Sequence, residues 1–563
     1  MMTSRARSGA RILGLALAVL ALAVPTAAQA KGDVAVQLLG INDFHGNLEP
    51  PTGSSGRILP APGGTNVDAG GAAYLASHIR SLRAANPNSL VVSAGDLIGA
   101  SPLLSAAFHD EPTIEAMNMI GLDLNAVGNH EFDEGELELR RMQEGGCHPT
   151  DTAGTCADTD GRFDGADFQF LAANVVERDT GEPMFPAYAI KKFGNIKVGF
   201  IGMTLEGTPD IVSPSGIRNL RFLDEAETAN RYARELREQH GVRAIVVLLH
   251  EGGVPTPFGG INACNVSGPI VDIVNRTDDA VDLFVTGHTH QPYNCVIDGR
   301  RVTSASSFGR LVTDIDFTLD GNTKDMKNVA ANNVIVTRTN GALDIQALID
   351  RYNITVAPIR DRVIGSLSAP LTRVADDSGE NPAGNAIADA QLFASRSEGA
   401  IAAFMNPGGV RAEIDAGPVT YGEAFAMQPF GNNLTTITLT GAQLYEMLKQ
   451  QWCGANSTRI LLPSATVHYT FDRSKVAVGA PCATAQNPVV PGSLTIDGVA
   501  VVDSGSYRIT VNSFLADGGD SFPVLPQGAN RVGGVVDTDA FQQYMAANPN
   551  LAPPALNRID VIN

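Results

Sequence analysis

Between residues 31 and 340 the chain repeats one pattern: a short run of Val, Ile and Leu closes on a cluster of glycine and polar residues, and helical stretches lie between the runs. The apolar runs at 35–41, 90–93, 124–127, 197–201, 244–249 and 281–286 predict strands. The segment 223–240 has helical spacing with charge on its outer face. Such alternation predicts a layered α/β or α+β domain built on central sheets. Residues 341–364 predict a further helix, with apolar positions at Leu343, Ile345, Leu348, Ile349, Tyr352 and Ile354 and a limit set by Pro358. It can be another core helix or a connector between two large domains. Because every chemical motif described below for the first domain precedes it, it is read as the connector. A second α/β pattern runs over 365–563, with helices at 385–395 and 441–451 and strands including 434–439 and 506–511. There is no internal repeat, and the glycines at 63–71 and 518–519 predict loops.

Composition narrows the class. The 563 residues are 44% hydrophobic and 18% charged, which supports sizeable cores and excludes long disordered stretches. Forty Lys and Arg against 60 Asp and Glu give a net charge of −20. No cationic run follows the first thirty residues, so a nucleic-acid polymer is not an expected partner. Those first residues carry Arg5, Arg7 and Arg11, an apolar stretch at 12–24 and Ala28-Gln29-Ala30, the three parts of a cleavable secretory signal cut after Ala30. The stretch is shorter than the roughly 20 residues of a spanning helix. A secreted or periplasmic location follows as an expectation, with no membrane span. Six cysteines in an exported chain read most simply as three disulfides, and near-neighbour spacing pairs Cys147 with Cys156, Cys264 with Cys295, and Cys453 with Cys482. The competing thiolate zinc site has no Cys-x-x-Cys to build on. Oligomeric state is not legible in the sequence.

Five segments concentrate the metal-capable side chains: Asp43-Phe44-His45, Gly95-Asp96, Gly128-Asn129-His130-Glu131-Phe132-Asp133, His250, and Gly287-His288-Thr289-His290. Each follows a predicted strand at its carboxyl end, where loops of α/β folds converge on ligands. Asp43, His45, Asp96, Asn129, His250, His288 and His290 supply eight contacts if one carboxylate bridges, which fits two ions of four protein ligands each; Asp96, preceded by Gly95, is the natural bridge. Two divalent ions roughly 3.5–4 Å apart can clamp a phosphoryl group and generate a hydroxide nucleophile at neutral pH. Zn, Mn, Fe and Co all suit this donor set. His130, beside Asn129, can face the same cleft with Asp133 holding its other nitrogen, giving a catalytic dyad. His78, His109, His148, His240 and His468 lack such neighbours and read as surface or packing residues.

These motifs, in the forms IND-F-H-G, VGNHEFD and GHTH, resemble the calcineurin-like metallophosphoesterases and within them the secreted 5'-nucleotidase family, which includes UDP-sugar hydrolases and 2',3'-cyclic-nucleotide phosphodiesterases. The resemblance implies a four-layer αββα sandwich at 31–340, joined by the 341–364 helix to an α/β substrate-binding domain at 365–563. It implies that Asp43, His45, Asp96 and His290 hold one ion and Asp96, Asn129, His250 and His288 the other, with His130 and Asp133 beside the attacked phosphate. It extends into the second half through Asn406-Pro407-Gly408-Gly409-Val410-Arg411, Pro429-Phe430-Gly431-Asn432 and Phe514-Leu515-Ala516-Asp517-Gly518-Gly519-Asp520. There it implies that Phe430 and Phe514 sandwich a base, that Asp520 binds ribose hydroxyls, and that Asn406, Gly409, Arg411 and Asn432 complete the pocket. The expected activity is release of phosphate from nucleoside 5'-monophosphates, with UDP-sugars or 2',3'-cyclic nucleotides as further substrates. One departure stands out: the stretch Asp376-Asp377-Ser378-Gly379-Glu380 lacks an Arg that several nucleotidases place before the Gly-Asn opening the first helix of this domain. A thiosulfohydrolase or other ester hydrolase on the same scaffold, and a non-catalytic nucleotide-binding protein, are the alternatives.

Overall fold

The computed structural model describes residues 32–563, apart from 152–153, 158–160, 214–215 and 455–458. The leader expected at 1–30 therefore lies outside the described residues.

Two six-stranded sheets face each other in the first domain. One has the order Met326–Ile335, Leu311–Leu319, Val34–Ile41, Ser89–Ser93, Leu124–Ala126, Gln169–Leu171. The other runs Pro292–Ile297, Arg300–Ala305, Leu283–Thr286, Ala244–His250, Ile196–Thr204, Tyr188–Phe193. All six strands expected from the apolar runs are present, parallel at the centre of each sheet: Leu39 pairs with Val91, Val92 with Leu124, and Val246 with both Leu283 and Phe200. Strand alternation explains why these runs are apolar throughout. Val36 and Leu38 face Phe200, Val246 and Leu248 in the core between the sheets, while Leu39 and Ile41 face the opposite way, into the core under Leu75, Ile79 and Ile114. On the outer face of the second sheet, Ile245, Val247 and Leu249 meet Ala229, Leu236, Ile270 and Val274 from the helices Glu225–His240 and Pro269–Arg276. Asp224 starts the first of these helices by accepting from the Glu227 amide at 2.8 Å. The result is helix, sheet, sheet, helix.

The expected 341–364 helix is shorter than its pattern. It spans Leu343–Arg360, and Val363–Leu367 is instead a strand antiparallel to Gly417–Thr420. Pro358 lies inside its last turn and does not end it, because a ring there disturbs only the final hydrogen bonds. The helix is also more than a connector: Ile345, Leu348, Ile349, Tyr352 and Val356 complete the core of the first domain, and Tyr352 Oη and Asn353 Nδ2 donate to Glu115 and Glu49 at 3.0 Å each. The glycine-rich 63–71 region is not wholly loop, since Val67–Asp68 pairs with Arg57–Ile58.

The second domain is α/β as well. A five-stranded sheet, Leu462–Pro463, Ala402–Met405, Ser506–Asn512, Asn433–Thr440, Ala529–Val536, carries the helices Pro382–Ser395 and Gly441–Gln450. A four-stranded sheet includes Val467–Asp472 and Ile559–Ile562. The three disulfides pair as expected, Cys147 with Cys156, Cys264 with Cys295 and Cys453 with Cys482.

Candidate active site

Six of the seven expected ligands lie on loops that leave the carboxyl ends of parallel strands, His250 is the last residue of such a strand, and all seven meet at one rim. Getting there bends the backbone: Asp43, His45, Asp96, His288 and His290 all have φ between 48° and 69°, a left-handed region that costs energy in a residue with a Cβ. Packing fixes the turns. A Cβ on Gly128 would lie 2.2 Å from Asp96 Oδ1, so only glycine lets the two loops touch.

Two clusters result, Asp43 with His45 and His290, and Asp96 with His250 and His288. In the first, His45 Nε2 and His290 Nε2 are 3.1 Å apart and His290 Nε2 is 3.3 Å from Asp43 Oδ1. In the second, His250 Nε2 is 3.0 Å from Asp96 Oδ2 and 3.2 Å from Asn129 Oδ1, which is 3.0 Å from His288 Nδ1. Asp96 Oδ2 also lies 3.6 Å from His45 Nε2, so one carboxylate oxygen touches both clusters.

The donor set fits divalent ions. His45 and His250 turn their Nδ1 to the carbonyls of Gly99 and Ala94 at 2.8 and 2.7 Å, which fixes each tautomer and aims Nε2 inward. Burial holds His45 and His290 below their ordinary pKa, and burial together with the charge of His250 lowers His288 to about 3. Lone pairs of neutral imidazoles, an amide oxygen and two carboxylates thus converge within hydrogen-bond distance, an arrangement a cation relieves. Burial opposes a charge on His250, but Asp96 outweighs it and raises the ring to about 10. A divalent ion would compete with that proton.

Glu131, which the motif reading passed over, is the strut beneath these loops. Its buried carboxylate accepts from the amides of Asp96 and Leu97 at 2.9 Å and of Gly128 at 2.7 Å, and burial beside Asp96 pushes its pKa up to about 8. His130 and Asp133 do meet: Asp133 Oδ2 is 2.9 Å from His130 Nδ1, within one turn of 3-10 helix. Burial disfavours the imidazolium, yet Asp133 and Asp96 raise its pKa overall. His109, set aside in the sequence, is held by carboxylates on both nitrogens, Glu134 at 2.6 Å and Asp151 at 3.1 Å, and stacks on His148.

The second domain brings its expected residues to the same place. A cavity of about 420 Å³ is lined by Asn129, His130, Asp133 and His288 from one side and Asn406, Gly409, Arg411, Phe430, Asn432, Phe514 and Asp520 from the other. Phe430 stacks on His130 with centroids 5.7 Å apart and lies 5.8 Å from the Arg411 guanidinium. Asn432 Oδ1 accepts from Ser513 Oγ at 3.0 Å and the Phe514 amide at 3.3 Å, so its carbonyl positions the Phe514 ring. That ring lies on Gly519, where a Cβ would come within 2.5 Å of it. Asn406 Nδ2 donates to Asp520 Oδ2 at 2.8 Å, and Arg459, absent from the motif reading, pairs with the other oxygen. The acidic 376–380 stretch has a folding role: Glu380 is fully buried and accepts from the amides of Arg558 and Ile559 at 3.0 and 2.8 Å. A cation does come from just upstream, as Arg373 Nη1 donates to the Arg411 carbonyl at 3.1 Å.

The calcineurin-like phosphoesterase model matches residues 36–292, and the 5'-nucleotidase C-terminal domain model matches 363–527. The cell wall protein Lmo0130 of Listeria monocytogenes is 33% identical over 576 residues, covering 95% of this chain and 70% of that one. The chain belongs to the family that joins a calcineurin-like phosphoesterase domain to a 5'-nucleotidase C-terminal domain. Endonuclease YhcR of Bacillus subtilis is 33% identical over 519 residues, and there the chain spans 91% of its own length but 40% of the relative. Among solved structures of the family, the 5'-nucleotidase precursor from Thermus thermophilus superposes with a TM-score of 0.75 at 26% identity, covering 94% of this chain and all of that one. The expected four-layer sandwich and α/β second domain are those of this family. Among the described residues, no helix is long and apolar enough to cross a membrane.

Proposed function

We propose that this protein is an exported, metal-dependent phosphohydrolase that releases phosphate from nucleoside 5'-monophosphates, with UDP-sugars and 2',3'-cyclic nucleotides as further substrates. The observation that carries this reading is a single cavity with the dyad at one wall and two half-buried phenylalanines, a carboxylate and an arginine at the other. Asp43, His45, Asp96 and His290 would hold one ion, and Asp96, Asn129, His250 and His288 the other. Bound there, the ions would supply charge neutralisation for phosphoryl oxygens and acidification of a water nucleophile.

The protein's own groups complete the reaction. Asp133 holds His130 Nδ1, which leaves Nε2 to donate to a phosphoryl oxygen as charge develops on it. Arg411 brings a second positive charge toward the same end, where Asp43, Asp96 and Asp133 act on it. Phe430 and Phe514 offer faces to a base, and Asp520 accepts from sugar hydroxyls. The residues divide into a catalytic unit at 31–340, whose core is completed by the helix Leu343–Arg360 of the 341–364 connector, and a substrate-binding unit at 365–563, with domain closure bringing the two ends together. Three disulfides and the sequence of the leader support export to the periplasm or medium. A thiosulfohydrolase reading leaves the phenylalanine pair without a purpose, and a non-catalytic reading leaves a full ligand set without one. The endonuclease activity in the name of the Bacillus relative is not carried over, because the chain spans 40% of that protein.

Phe514→Ala tests the assignment. Loss of one stacking face should lower kcat/KM on AMP about 5- to 150-fold, while hydrolysis of bis(p-nitrophenyl) phosphate, abolished by chelator in both proteins, changes little. Equal losses on both substrates with a lowered Tm would mean that Phe514 is a packing residue and would remove the base-binding role.

A further inference from the structure

Arg459 stands out in a chain with a net charge of −20 because it is a second arginine lining the cavity. Arg411 is at the end where Asp43, Asp96 and Asp133 act on it electrostatically. Arg459 is at the end marked by Asp520, and its own ion pair is with that carboxylate. Asp520 is 5% exposed, and each of its oxygens already has a partner, Asn406 Nδ2 on Oδ2 and Arg459 Nη1 on Oδ1. Asn406 is fixed in turn by Asn512, whose Nδ2 donates to its Oδ1 at 2.9 Å. The pair is therefore rigidly built, while the Arg459 side chain remains 31% exposed. Only Nη1 of its guanidinium has a side-chain partner among the described residues. Among the described residues the other guanidinium N–H groups have no hydrogen-bond partner, and they form a planar fork suited to phosphate oxygens.

A carboxylate and a guanidinium side by side read two adjacent features of a ligand. The carboxylate accepts from a hydroxyl, and the fork takes an anion attached to the neighbouring carbon. Two arginines lining one cavity, each beside different carboxylates, match a molecule that carries two anions. Resting on the nucleotide reading above, we propose that Arg459 is a specificity-determining residue that recognises a phosphate on the 2' or 3' hydroxyl of the sugar, so that nucleosides phosphorylated both there and at the 5' position are preferred substrates. The reaction is unchanged in kind. The bond between phosphorus and the 5' oxygen breaks, the oxygen of water joins phosphorus, a proton of that water goes to the 5' oxygen, and the products are inorganic phosphate and a nucleoside 2'- or 3'-monophosphate.

The test compares kcat/KM for AMP, adenosine 3',5'-bisphosphate and adenosine 2',5'-bisphosphate in the wild type, Arg459→Gln and Arg459→Lys, with Tm recorded for each protein. The wild type should favour one bisphosphate over AMP at least about tenfold, and which one it favours identifies the hydroxyl. Arg459→Gln should lower that ratio by about 10- to 100-fold, the scale of a lost charge-assisted hydrogen bond to phosphate, and Arg459→Lys should restore part of it. AMP hydrolysis without preference for either bisphosphate would overturn the proposal and leave the nucleotide reading standing. A proportionate loss on all three substrates in Arg459→Gln would also overturn it, making Arg459 a support for Asp520. Turnover of bis(p-nitrophenyl) phosphate with no turnover of any of the three would overturn both readings.

Discussion

One oxygen atom, Asp96 Oδ2, touches a histidine of each metal-capable cluster, and the chemistry of both depends on it. Asp96→Ala should remove a ligand from each ion, so metal content measured by plasma emission and turnover should fall together; two ions per chain with wild-type turnover would refute the bridge. His130 makes a different prediction because its ring is held by Asp133 in the first domain and faces Phe430 across the cavity. His130→Ala should leave metal content intact and cut kcat by about 100- to 1000-fold, the scale for losing a donor to developing charge. Loss of metal instead would make His130 a residue that only orients Asn129. The motif spacing made these residues legible. It did not reveal Glu131 or Arg459, whose significance lies in what they touch, three loop amides in one case and Asp520 in the other.

Elements carry their own electrostatic cost. The helix Asp537–Ala547 begins with a buried carboxylate, and burial, only partly offset by hydrogen bonds from Thr538 and Asn432, pushes the Asp537 pKa from 3.8 up to about 7. The folded state keeps a proton that the unfolded chain releases above about pH 4, so stability falls as pH rises from about 4 to about 7 and is level beyond. Asp537→Asn keeps an acceptor for the Thr538 amide and removes this titration. Its Tm should exceed that of the wild type at pH 8 and converge with it near pH 4, with a gain of no more than about 4 kcal/mol at the upper end. A constant difference across the range would show that the carboxylate does not titrate there. At this scale the sequence also read most strands and helices well, since apolar runs of Val, Ile and Leu have few other places to go. It overran at 341–364, where helical periodicity continued into the strand Val363–Leu367. Pairing with Gly417–Thr420 overrode the local pattern there.

In the whole molecule the two domains share a cavity but not a core. The first domain has cores on both sides of its sheets, the second has its own clusters around Trp452 and around Phe541, and among the described residues the metal-capable clusters all belong to the first. Metal removal should therefore act on one unit. In scanning calorimetry, chelator should lower the unfolding transition of the first domain, by about 4 kcal/mol if the ions are held a thousandfold above Kd, and leave that of the second in place. A nucleotide product analogue, touching both walls of the cavity, should raise both transitions. A single transition shifted equally by either ligand would show that the domains unfold as one.

The sequence by itself determined the strands, the order of the two α/β units, the disulfide pairs and the identity of seven ligand candidates. These depend on local hydrophobic period, on chain proximity of cysteines, and on short motifs at strand ends. Tertiary structure decided the rest. It made the acidic 376–380 stretch an internal strut, brought Arg373 to Arg411, set Phe430 against His130 across the domain boundary, and paired Arg459 with Asp520. Each of these joins residues from about 40 to 300 positions apart, and no local pattern encodes such a contact. It exists only once sheet register and domain packing have fixed where each loop points.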